Sequence, residues 1–404
     1  MQRISFWFFL FAALYVSSPA YATDAAPAAS AVPVVSGPHI ALLLPLKSPV
    51  FGRAAEVVRQ GFMAAASSQA QTLPVQVYEC TDESSEIISV YLRAVADGAL
   101  AVAGPLTRDG VEVLANYPNI LVPTLALNVA GGKGADNLYF FGLTAEIEAR
   151  QIAQLAAAAG LHSANIVSSG TLLSHRLSQA FADEWKALGG TVANEIVYQG
   201  DTSVFASLPA EKGNMLFLAA DAQTAHLIHP YLNAALPVYA TSQIFNGNAD
   251  TLTNYDLNDV HFIDMPWLLQ PDHPAVMIYP HATPSLRPEM ERLYALGIDS
   301  FRLLQIMLND SYTTSLPLDG VTGRIHLDDA RQFQREGVSA QFKYGQGLTP
   351  EEITAHEAAL AAAARAAAAS AVLPAAVPDI SAASAVPNIP AVSGVPAPVA
   401  APSP

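Results

Sequence analysis

The sequence predicts an α/β protein made of two doubly wound parallel-sheet lobes. Short apolar runs of the β-branched and aromatic kind alternate with amphipathic helical stretches along most of the 404 residues. Strands that alternate with helices pair in parallel through right-handed crossovers, and helices then cover both faces of each sheet. A chain of this length is also too long for one ordinary core, so we expect about two domains with tails.

The segment 236–269 indicates where the two lobes meet. Two short apolar runs, 237–240 and 260–263, have the composition of buried strands and are separated by Asn, Gly and Asp residues that favour turns. The step from Pro266 to Trp267 then ends the second strand and turns the chain elsewhere. We therefore expect the chain to leave one lobe here and return to the other, with a cleft at this point.

The first 22 residues have the pattern of a secretory signal peptide. Arg3 supplies the positive start, residues 4–16 form the apolar run, and Ala20 and Ala22 are the small residues that a signal peptidase recognises. We expect cleavage after Ala22 and a location in the periplasm. Because the single cysteine of the chain is far from the cleavage point, we also expect no lipid anchor.

The first half of the body alternates clearly. Residues 39–46, HIALLLPL, form a continuous apolar run, which is typical of a strand covered on both faces. The predicted elements that follow are a helix at 54–66, a strand at 74–80, a helix at 85–96, a strand at 99–105, a helix at 108–116, strands at 120–126 and 138–141, and a helix at 145–159. Thr144 is a suitable N-cap for the last helix, which Gly160 closes.

The second half continues the same alternation and then becomes less regular. The predicted elements are strands at 164–168, 191–198 and 215–219, helices at 172–188 and 221–233 between them, the two strands of the segment 236–269, a long core helix at 287–308, and late strands or hairpin pieces at 320–327 and 339–344. We expect the late pieces to complete a sheet that begins earlier in the chain.

Segments of low complexity flank the body. Residues 23–37, rich in Ala, Pro and Ser, predict a flexible linker. The Thr-Pro-Glu-Glu sequence at 349–352 forms a capping box that starts an Ala-rich helix over 349–370. Residues 371–404 predict a disordered Ala/Pro-rich tail, because they bury too little to order themselves. A spacer is the favoured role of this tail, and a tether or a ligand for an aromatic groove is the alternative.

Composition and motifs argue against several function classes. The formal net charge is −16 and no basic cluster stands out, which disfavours a nucleic-acid partner. The sequence lacks GxSxG, HExxH, phosphate-loop and dinucleotide-binding motifs, so we predict no catalytic residue and no cofactor. His226 and His229 lie three residues apart on a predicted helix, but a third ligand with recognisable spacing is missing, so we predict no metal site. The lone Cys80 predicts a small buried apolar group.

Several segments of the body have a specific pattern. They are IALLLPL at 40–46, GF at 61–62, VAGPL at 102–106, VPTLALN at 122–128, FGLTAEIEARQIA at 141–153, AFADEWKALGG at 180–190, LPVYATSQIF at 236–245, DLNDVHFIDMPWLL at 256–269, RLYALGIDSFRL at 292–303 and GVTGRIHLD at 320–328. In these segments the body resembles the C-terminal domain of the LpoA-type penicillin-binding-protein activators, which is related to type I periplasmic binding proteins.

This resemblance implies an architecture and a role. It implies one lobe at 38–145 plus 267–320 and a second at 146–266 plus 321–348, joined by three crossovers. Members of this family bind and stimulate a bifunctional peptidoglycan synthase, a class A penicillin-binding protein, and are not known to catalyse a reaction. The best-known members also carry an N-terminal helical-repeat domain and an acylated cysteine, neither of which this sequence shows. The exposed loop at 246–256 is a candidate for partner contact, and an ordinary connecting loop is the alternative.

The competing hypothesis is a periplasmic receptor for a small molecule, such as an amino acid or a muropeptide. In open α/β sheets ligands bind at the carboxyl ends of strands. The loops expected there present Ser48, Pro105, Thr107, Asn128, Ser169, Asp221 and Thr241. Amino-acid receptors of this fold use a hydroxyl-rich loop for the ligand carboxylate, where this chain has Ala126, Leu127 and Asn128. The apolar Leu127 disfavours a site for a zwitterion.

Overall fold

The computed structural model of the protein describes residues 37–371, apart from residues 70–72, 82–83, 132–133 and 250. The predicted signal peptide, all but the last residue of the predicted linker and all but the first residue of the predicted tail lie outside the described residues. No helix in this described part combines the length and the apolar character needed to cross a membrane.

The described residues form fifteen strands and eleven α-helices. The strands are β1 His39–Leu44, β2 Val75–Glu79, β3 Ala99–Ala103, β4 Thr124–Ala126, β5 Leu138–Phe141, β6 Ser163–Ser168, β7 Thr191–Val197, β8 Asn214–Ala219, β9 Val238–Ala240, β10 His261–Asp264, β11 Leu318–Asp319, β12 Arg324–Leu327, β13 Gln332–Glu336, β14 Val338–Lys343 and β15 Gln346–Leu348. The helices are α1 Gly52–Ser67, α2 Ser84–Ala96, α3 Arg108–Ala115, α4 Ala145–Ala158, α5 Leu172–Ala187, α6 Ala222–Ile228, α7 Pro266–Leu269, α8 Pro274–Met277, α9 Pro288–Leu308, α10 Tyr312–Ser315 and α11 Pro350–Ala371. Short 3₁₀ helices lie at Ser203–Ser207, His229–Tyr231, Ser242–Ile244 and Thr253–Leu257.

The strands form two sheets, which confirms the predicted fold class. The first sheet has the order β11-β12-β13-β5-β4-β3-β1-β2, and the second has the order β15-β14-β10-β9-β8-β6-β7. In the first sheet, all adjacent strands from β13 to β2 in this order pair in parallel. In the second sheet, all adjacent strands from β10 to β7 in this order also pair in parallel. The late strands add antiparallel edges, β11 and β12 to the first sheet and β14 and β15 to the second.

Helices cover both faces of each sheet, which explains the continuous apolar strands. All six residues of β1 are buried. Ile40, Leu42 and Leu44 pack with α1 and α9 on one face, whereas Ala41 and Leu43 pack with α2 and α3 on the other. In the second sheet, α4 and α5 cover one face and α6 covers the other. Burial of these apolar faces supplies the main stabilisation of both lobes.

Two glycines let the helices α1 and α9 approach closely in the core of the first lobe. A Cβ atom on Gly61 would lie 1.9 Å from the carbonyl oxygen of Tyr294. One on Gly297 would lie 2.2 Å from the carbonyl oxygen of Val58. Only residues without a side chain permit this backbone contact, so both positions determine how the helix pair sits on the sheet.

The chain crosses between the sheets three times: after β5 at 142–144, after β10 at Met265, and after β13 at Gly337. The predicted lobe boundary between residues 320 and 321 is therefore wrong for the segment that contains β12 and β13, because the prediction places these two strands in the second lobe. Both strands pair in the first sheet, β13 directly with β5. β13 has a single apolar residue, Phe333, and lies beside a parallel strand that is distant in sequence, so local sequence pattern could not assign it to a sheet.

Candidate functional site

The candidate site is a cleft between the lobes, at the carboxyl ends of the parallel strands. It has a larger chamber of about 900 Å³ and a smaller one of about 400 Å³. The two chambers share Leu143, Ala145, Gln243 and Arg335 in their walls. Chambers of this size are in the range that holds small molecules.

The structure brings two of the seven predicted ligand candidates to these chambers. Asn128 lines the larger chamber, and Asp221 lines the smaller. Asn128 also holds its own loop, because its amide donates to the carbonyl of Leu106 at 3.1 Å and its side-chain oxygen accepts from Val129 N–H. Asp221 caps α6 by accepting from Thr224 N–H at 2.8 Å.

The other five candidates lie in the expected loops without lining either chamber. Ser48 accepts hydrogen bonds from the two N–H groups that precede α1, and Thr107 caps α3 through Gly110 N–H. Pro105 follows a cis peptide bond, and Ser169 lies 3.4 Å from the hydroxyl of Thr171. The hydroxyl of Thr241 is buried, and it has no hydrogen-bond partner among the described residues. These side chains shape the loops of the cleft.

Positive charge is concentrated in the larger chamber, although the chain as a whole is acidic. Its walls contain Arg108, Arg150, Arg176 and Arg335, together with the glutamines Gln151, Gln154, Gln243, Gln332 and Gln334. Two acidic side chains, Glu146 and Glu336, also line it. Arg176 pairs with Glu146 at 3.2 Å, and Arg108 pairs with Glu112 at 3.5 Å. Arg150 is exposed and has no ion-pair partner among the described residues.

The floor between the chambers is a buried ion pair that joins the lobes. Arg335, on β13 of the first sheet, donates from Nη2 to Glu148 Oε1 on α4 of the second lobe at 2.6 Å. The two side chains are 2% and 5% exposed. The other carboxylate oxygen of Glu148 accepts from Ser242 N–H at 3.0 Å. The pair is therefore anchored on three segments of the chain.

A second buried ion pair lies beside the first. Arg292 on α9 donates to both carboxylate oxygens of Asp264, which ends β10, at 3.1 and 2.5 Å. Its Nη2 also donates to the carbonyls of Ser242 and Phe245 at 3.1 and 2.9 Å. Because Ser242 contacts Glu148 through its N–H group and Arg292 through its carbonyl, the two ion pairs form one network. We call the side chains Glu148, Asp264, Arg292 and Arg335 the inter-lobe brace.

Burial decides the direction of the pKa shift of Asp264, whereas the neighbouring carboxylates decide that of Arg292. It raises the pKa of the Asp264 carboxyl, a rise that the adjacent Arg292 guanidinium opposes. Burial also tends to lower the pKa of Arg292, but the Asp264 carboxylate outweighs this effect and the pKa is raised. The guanidinium therefore stays charged at the lobe interface, where it needs the carboxylate as its partner.

The third crossing is held by a side-chain amide. Gln151 on α4 donates to the carbonyl of Gly337 at 2.8 Å and accepts from its N–H group at 2.9 Å. A Cβ atom on Gly337 would lie 2.4 Å from a methyl group of Ile263 on β10. Gly337 thus packs against the end of β10, just before the second crossing. The helix α4 is bonded to the third crossing through Gln151 and, through Glu148, to Arg335 two residues before it.

Sequence reasoning missed the brace, although two signals for it were present. Asp264 ends an apolar strand, and Arg292 lies in a helix whose other residues are mostly apolar. Charged residues within buried elements are almost always paired, so they predict ion pairs even where the partner is unknown. Arg292 lies 28 residues from its partner Asp264, and Arg335 lies 187 residues from its partner Glu148. Sequence spacing could not connect residues so far apart.

His226 on α6 and His229, which begins the 3₁₀ helix after it, each contact Asp256. His226 Nδ1 lies 2.7 Å from Asp256 Oδ1, and His229 Nδ1 lies 2.5 Å from the backbone carbonyl of Asp256. Among the residues that the structure describes, no group of three His, Cys, Asp or Glu side chains is arranged to hold a metal ion. The histidines instead attach the 3₁₀ helix Thr253–Leu257 to α6.

Comparison with known proteins identifies the family. A family model described as "LppC putative lipoprotein" matches residues 29–210 and 202–345. The chain belongs to the LppC family. The chain is similar to the penicillin-binding protein activator LpoA of Haemophilus influenzae, to which it is 26% identical over 319 residues, covering 76% of this chain and 54% of that protein. The chain thus spans about half the length of the curated relatives it matches.

Solved structures agree with this family and with the observed fold. Full-length LpoA from Haemophilus influenzae has a TM-score of 0.67 and 25% identity, over 78% of this chain and 59% of that one. A protein from Chromobacterium violaceum described as a "putative branched-chain amino acid ABC transporter" also has a TM-score of 0.67, with 38% identity over 75% of this chain and 99% of that one. The fold of this chain is thus similar both to that of an activator and to that of a protein named for transport.

Proposed function

We propose that this protein binds a class A penicillin-binding protein in the periplasm and stimulates it, without catalysing a reaction itself, and so supports peptidoglycan synthesis. The observation that carries the proposal is the similarity to the penicillin-binding protein activator LpoA over 76% of this chain. The family model matches residues 29–210 and 202–345, which contain all four residues of the brace.

The mechanism that we propose is differential binding. A synthase exchanges between conformations of different activity, and a module that prefers the active one shifts the population by the ratio of its two affinities. A tenfold preference corresponds to about 1.4 kcal/mol of coupling. The brace supports this role, because a fixed arrangement of lobes offers a partner one defined surface.

The loop 246–256 is our candidate for the contact with the synthase. It carries Leu252, which is 83% exposed, and Tyr255, which is half exposed. Exposed apolar side chains of this kind are typical of protein interaction sites when they lie together. Leu172, at the start of α5, is 88% exposed and lies on another part of the same lobe, so it supplies a matched control.

The test is reconstitution with the class A synthases of the same organism. The protein that starts at Thr23 is added at increasing concentration, and glycan polymerisation and peptide crosslinking are measured separately. We expect saturable stimulation of at least one of the two rates. Leu252→Ser should weaken this stimulation, whereas Leu172→Ser should leave it unchanged. Absence of binding to every class A synthase would refute the proposal.

The second candidate function is solute binding. It is favoured by the chambered cleft and by the similarity, at 38% identity, to the Chromobacterium violaceum protein named for amino-acid transport. The loop residue Leu127 is buried and offers no hydroxyl group to a ligand carboxylate. A thermal-shift screen of branched-chain amino acids tests this candidate, and a stabilisation that saturates with concentration would favour it.

A further inference from the structure

We propose that the larger chamber of the cleft binds a short acidic peptide that carries two or more carboxylates. The first reason is charge. Arg108, Arg150, Arg176 and Arg335 line one chamber in a chain whose net charge is −16. Arginine is the side chain best suited to carboxylates, because its planar guanidinium can donate two parallel hydrogen bonds.

Arg335 shows that this positive charge is built into the protein. It is buried and lines both chambers. Its Nη2 donates to Glu148, but its Nε has no acceptor among the described residues. Nε is enclosed by protein atoms, so the buried guanidinium acts on the chamber through its charge, which is screened weakly away from water.

Arg150 is the second available donor. It lies on the same helix as Glu148, its side chain is exposed, and it has no carboxylate partner among the described residues. Arg176 is already paired with Glu146, at 3.2 Å. A ligand carboxylate can therefore bind the exposed Arg150 close to the buried charge of Arg335. A second carboxylate would share Arg176 or Arg108 with the partly exposed glutamates that these arginines already contact.

The glutamines indicate that the ligand contains amide groups. Gln243 and Gln332 line the same chamber, and their amides make no side-chain hydrogen bond among the described residues. Each uncharged amide presents both a donor and an acceptor, which is the pattern that complements a peptide backbone. A small inorganic anion needs donors only and leaves these acceptors unused. The volume of about 900 Å³ also exceeds what a single amino acid requires.

The test is calorimetric titration of the full-length mature protein with triglutamate, without any synthase present. We expect saturable binding that weakens at high salt, because the contacts are charged. Trialanine and trilysine should not bind, and glutamate alone should bind at least tenfold more weakly than triglutamate. Equal binding of glutamate and triglutamate would overturn the peptide assignment, and equal binding of trialanine would overturn the assignment to acidic ligands.

Two arginine variants separate a built site from general attraction. Arg150→Gln should weaken triglutamate binding about tenfold, the loss expected for one charge-assisted hydrogen bond. Arg365→Gln removes an exposed arginine from α11, far from the cleft, and should leave the affinity unchanged. Equal weakening by both variants, or no binding of triglutamate to the parent protein, would overturn the proposal. Because Arg150 is exposed, we expect its variant to fold, which thermal unfolding checks directly.

Discussion

The inter-lobe brace makes a quantitative prediction for the variant Glu148→Gln. The change keeps the size of the side chain and removes its charge. Arg335 then remains as a buried charge without its counterion, and one of two hydrogen bonds, to Arg335 or to Ser242 N–H, is lost. Removing one partner of a buried ion pair costs about 3 to 5 kcal/mol. Both side chains here are almost fully buried, so we expect a value within this range.

Two tryptophans allow each lobe to be followed separately. In the protein that starts at Thr23, Trp185 lies on α5 of the second lobe and Trp267 packs in the core of the first. Urea unfolding is measured by fluorescence in the two single-tryptophan variants made with phenylalanine. We expect coincident transitions in the parent protein, because the brace couples the lobes. If the free energy of unfolding falls by about 3 kcal/mol per molar urea, Glu148→Gln should lower the urea midpoint of the lobe that unfolds first by about 1 to 2 M. The unfolding transitions of the two lobes should then separate.

Glu146→Gln is the matched control for this experiment. Glu146 lies two residues earlier on α4 and pairs with Arg176, but both side chains are partly exposed, at 24% and 49%. Such surface pairs contribute at most about 1 kcal/mol. If Glu148→Gln shifts unfolding no more than Glu146→Gln does, or if its transitions stay coincident, the brace does not couple the lobes and the reasoning is wrong.

Three further predictions concern the lobes themselves. Gly297→Ala should lower the free energy of unfolding by about 2 kcal/mol. The added methyl group overpacks the contact with α1 at a cost of up to about 3 kcal/mol, whereas alanine gains only about 1 kcal/mol in helix propensity. Urea unfolding measures the difference. Cys80 should react with Ellman's reagent at pH 8 only after unfolding, because burial raises its pKa to about 11. Burial lowers the pKa of His261, so the unfolded state binds a proton at a higher pH than the folded state does. The stability that neutral His261 contributes to the folded state should therefore be lost as the pH falls below about 6.5. His261→Phe, which keeps the ring stacked on Tyr239, should reduce the loss of stability between pH 7 and 5.

Each of these predictions has a contradicting result. Gly131→Ala adds a methyl group where, apart from the chain neighbours, no heavy atom of the described residues lies within 4 Å, so it should change stability by less than about 0.5 kcal/mol. If Gly297→Ala changes the free energy of unfolding no more than Gly131→Ala does, α1 and α9 can move apart without cost and their close packing is not required. Fast labelling of native Cys80 would contradict its burial. An unchanged pH slope in His261→Phe would assign the acid sensitivity to other groups.

The sequence predicted the parallel cores well, because their signal is local. The run IALLL at 40–44 is apolar at every position and, together with the buried His39, forms a strand covered on both faces. The capping box at the start of α11 forms as predicted, with Thr349 N–H donating to Glu352 and Glu352 N–H donating to Thr349. The predicted helix 221–233 ends earlier, at Ile228, and continues as a 3₁₀ turn, because Pro230 cannot supply the N–H group that an α-helix needs.

The sequence could not predict which strands share a sheet at the end of the chain, nor which residues line the cleft. β13 is five residues long, and its assignment depends on pairing with β5, almost two hundred residues earlier. Because Arg335 belongs to that strand, the sequence could predict neither the brace nor the lining of the larger chamber. Candidates chosen from strand ends alone were polar loop residues, and most of them proved to hold their own turns.

The brace also bears on how an LppC-family protein uses a solute-binding fold. A receptor that closes on its ligand must rearrange the contacts between its lobes. Here Asp264 at the second crossing and Arg335 beside the third are engaged in buried ion pairs, and Gly337 at the third is bonded to α4. Opening would expose or unpair these charges, at a cost of several kcal/mol that a weak ligand cannot supply. A ligand in the cleft therefore meets a preformed site, and a partner protein meets lobes in one fixed arrangement, which is the property that an activator acting by differential binding requires.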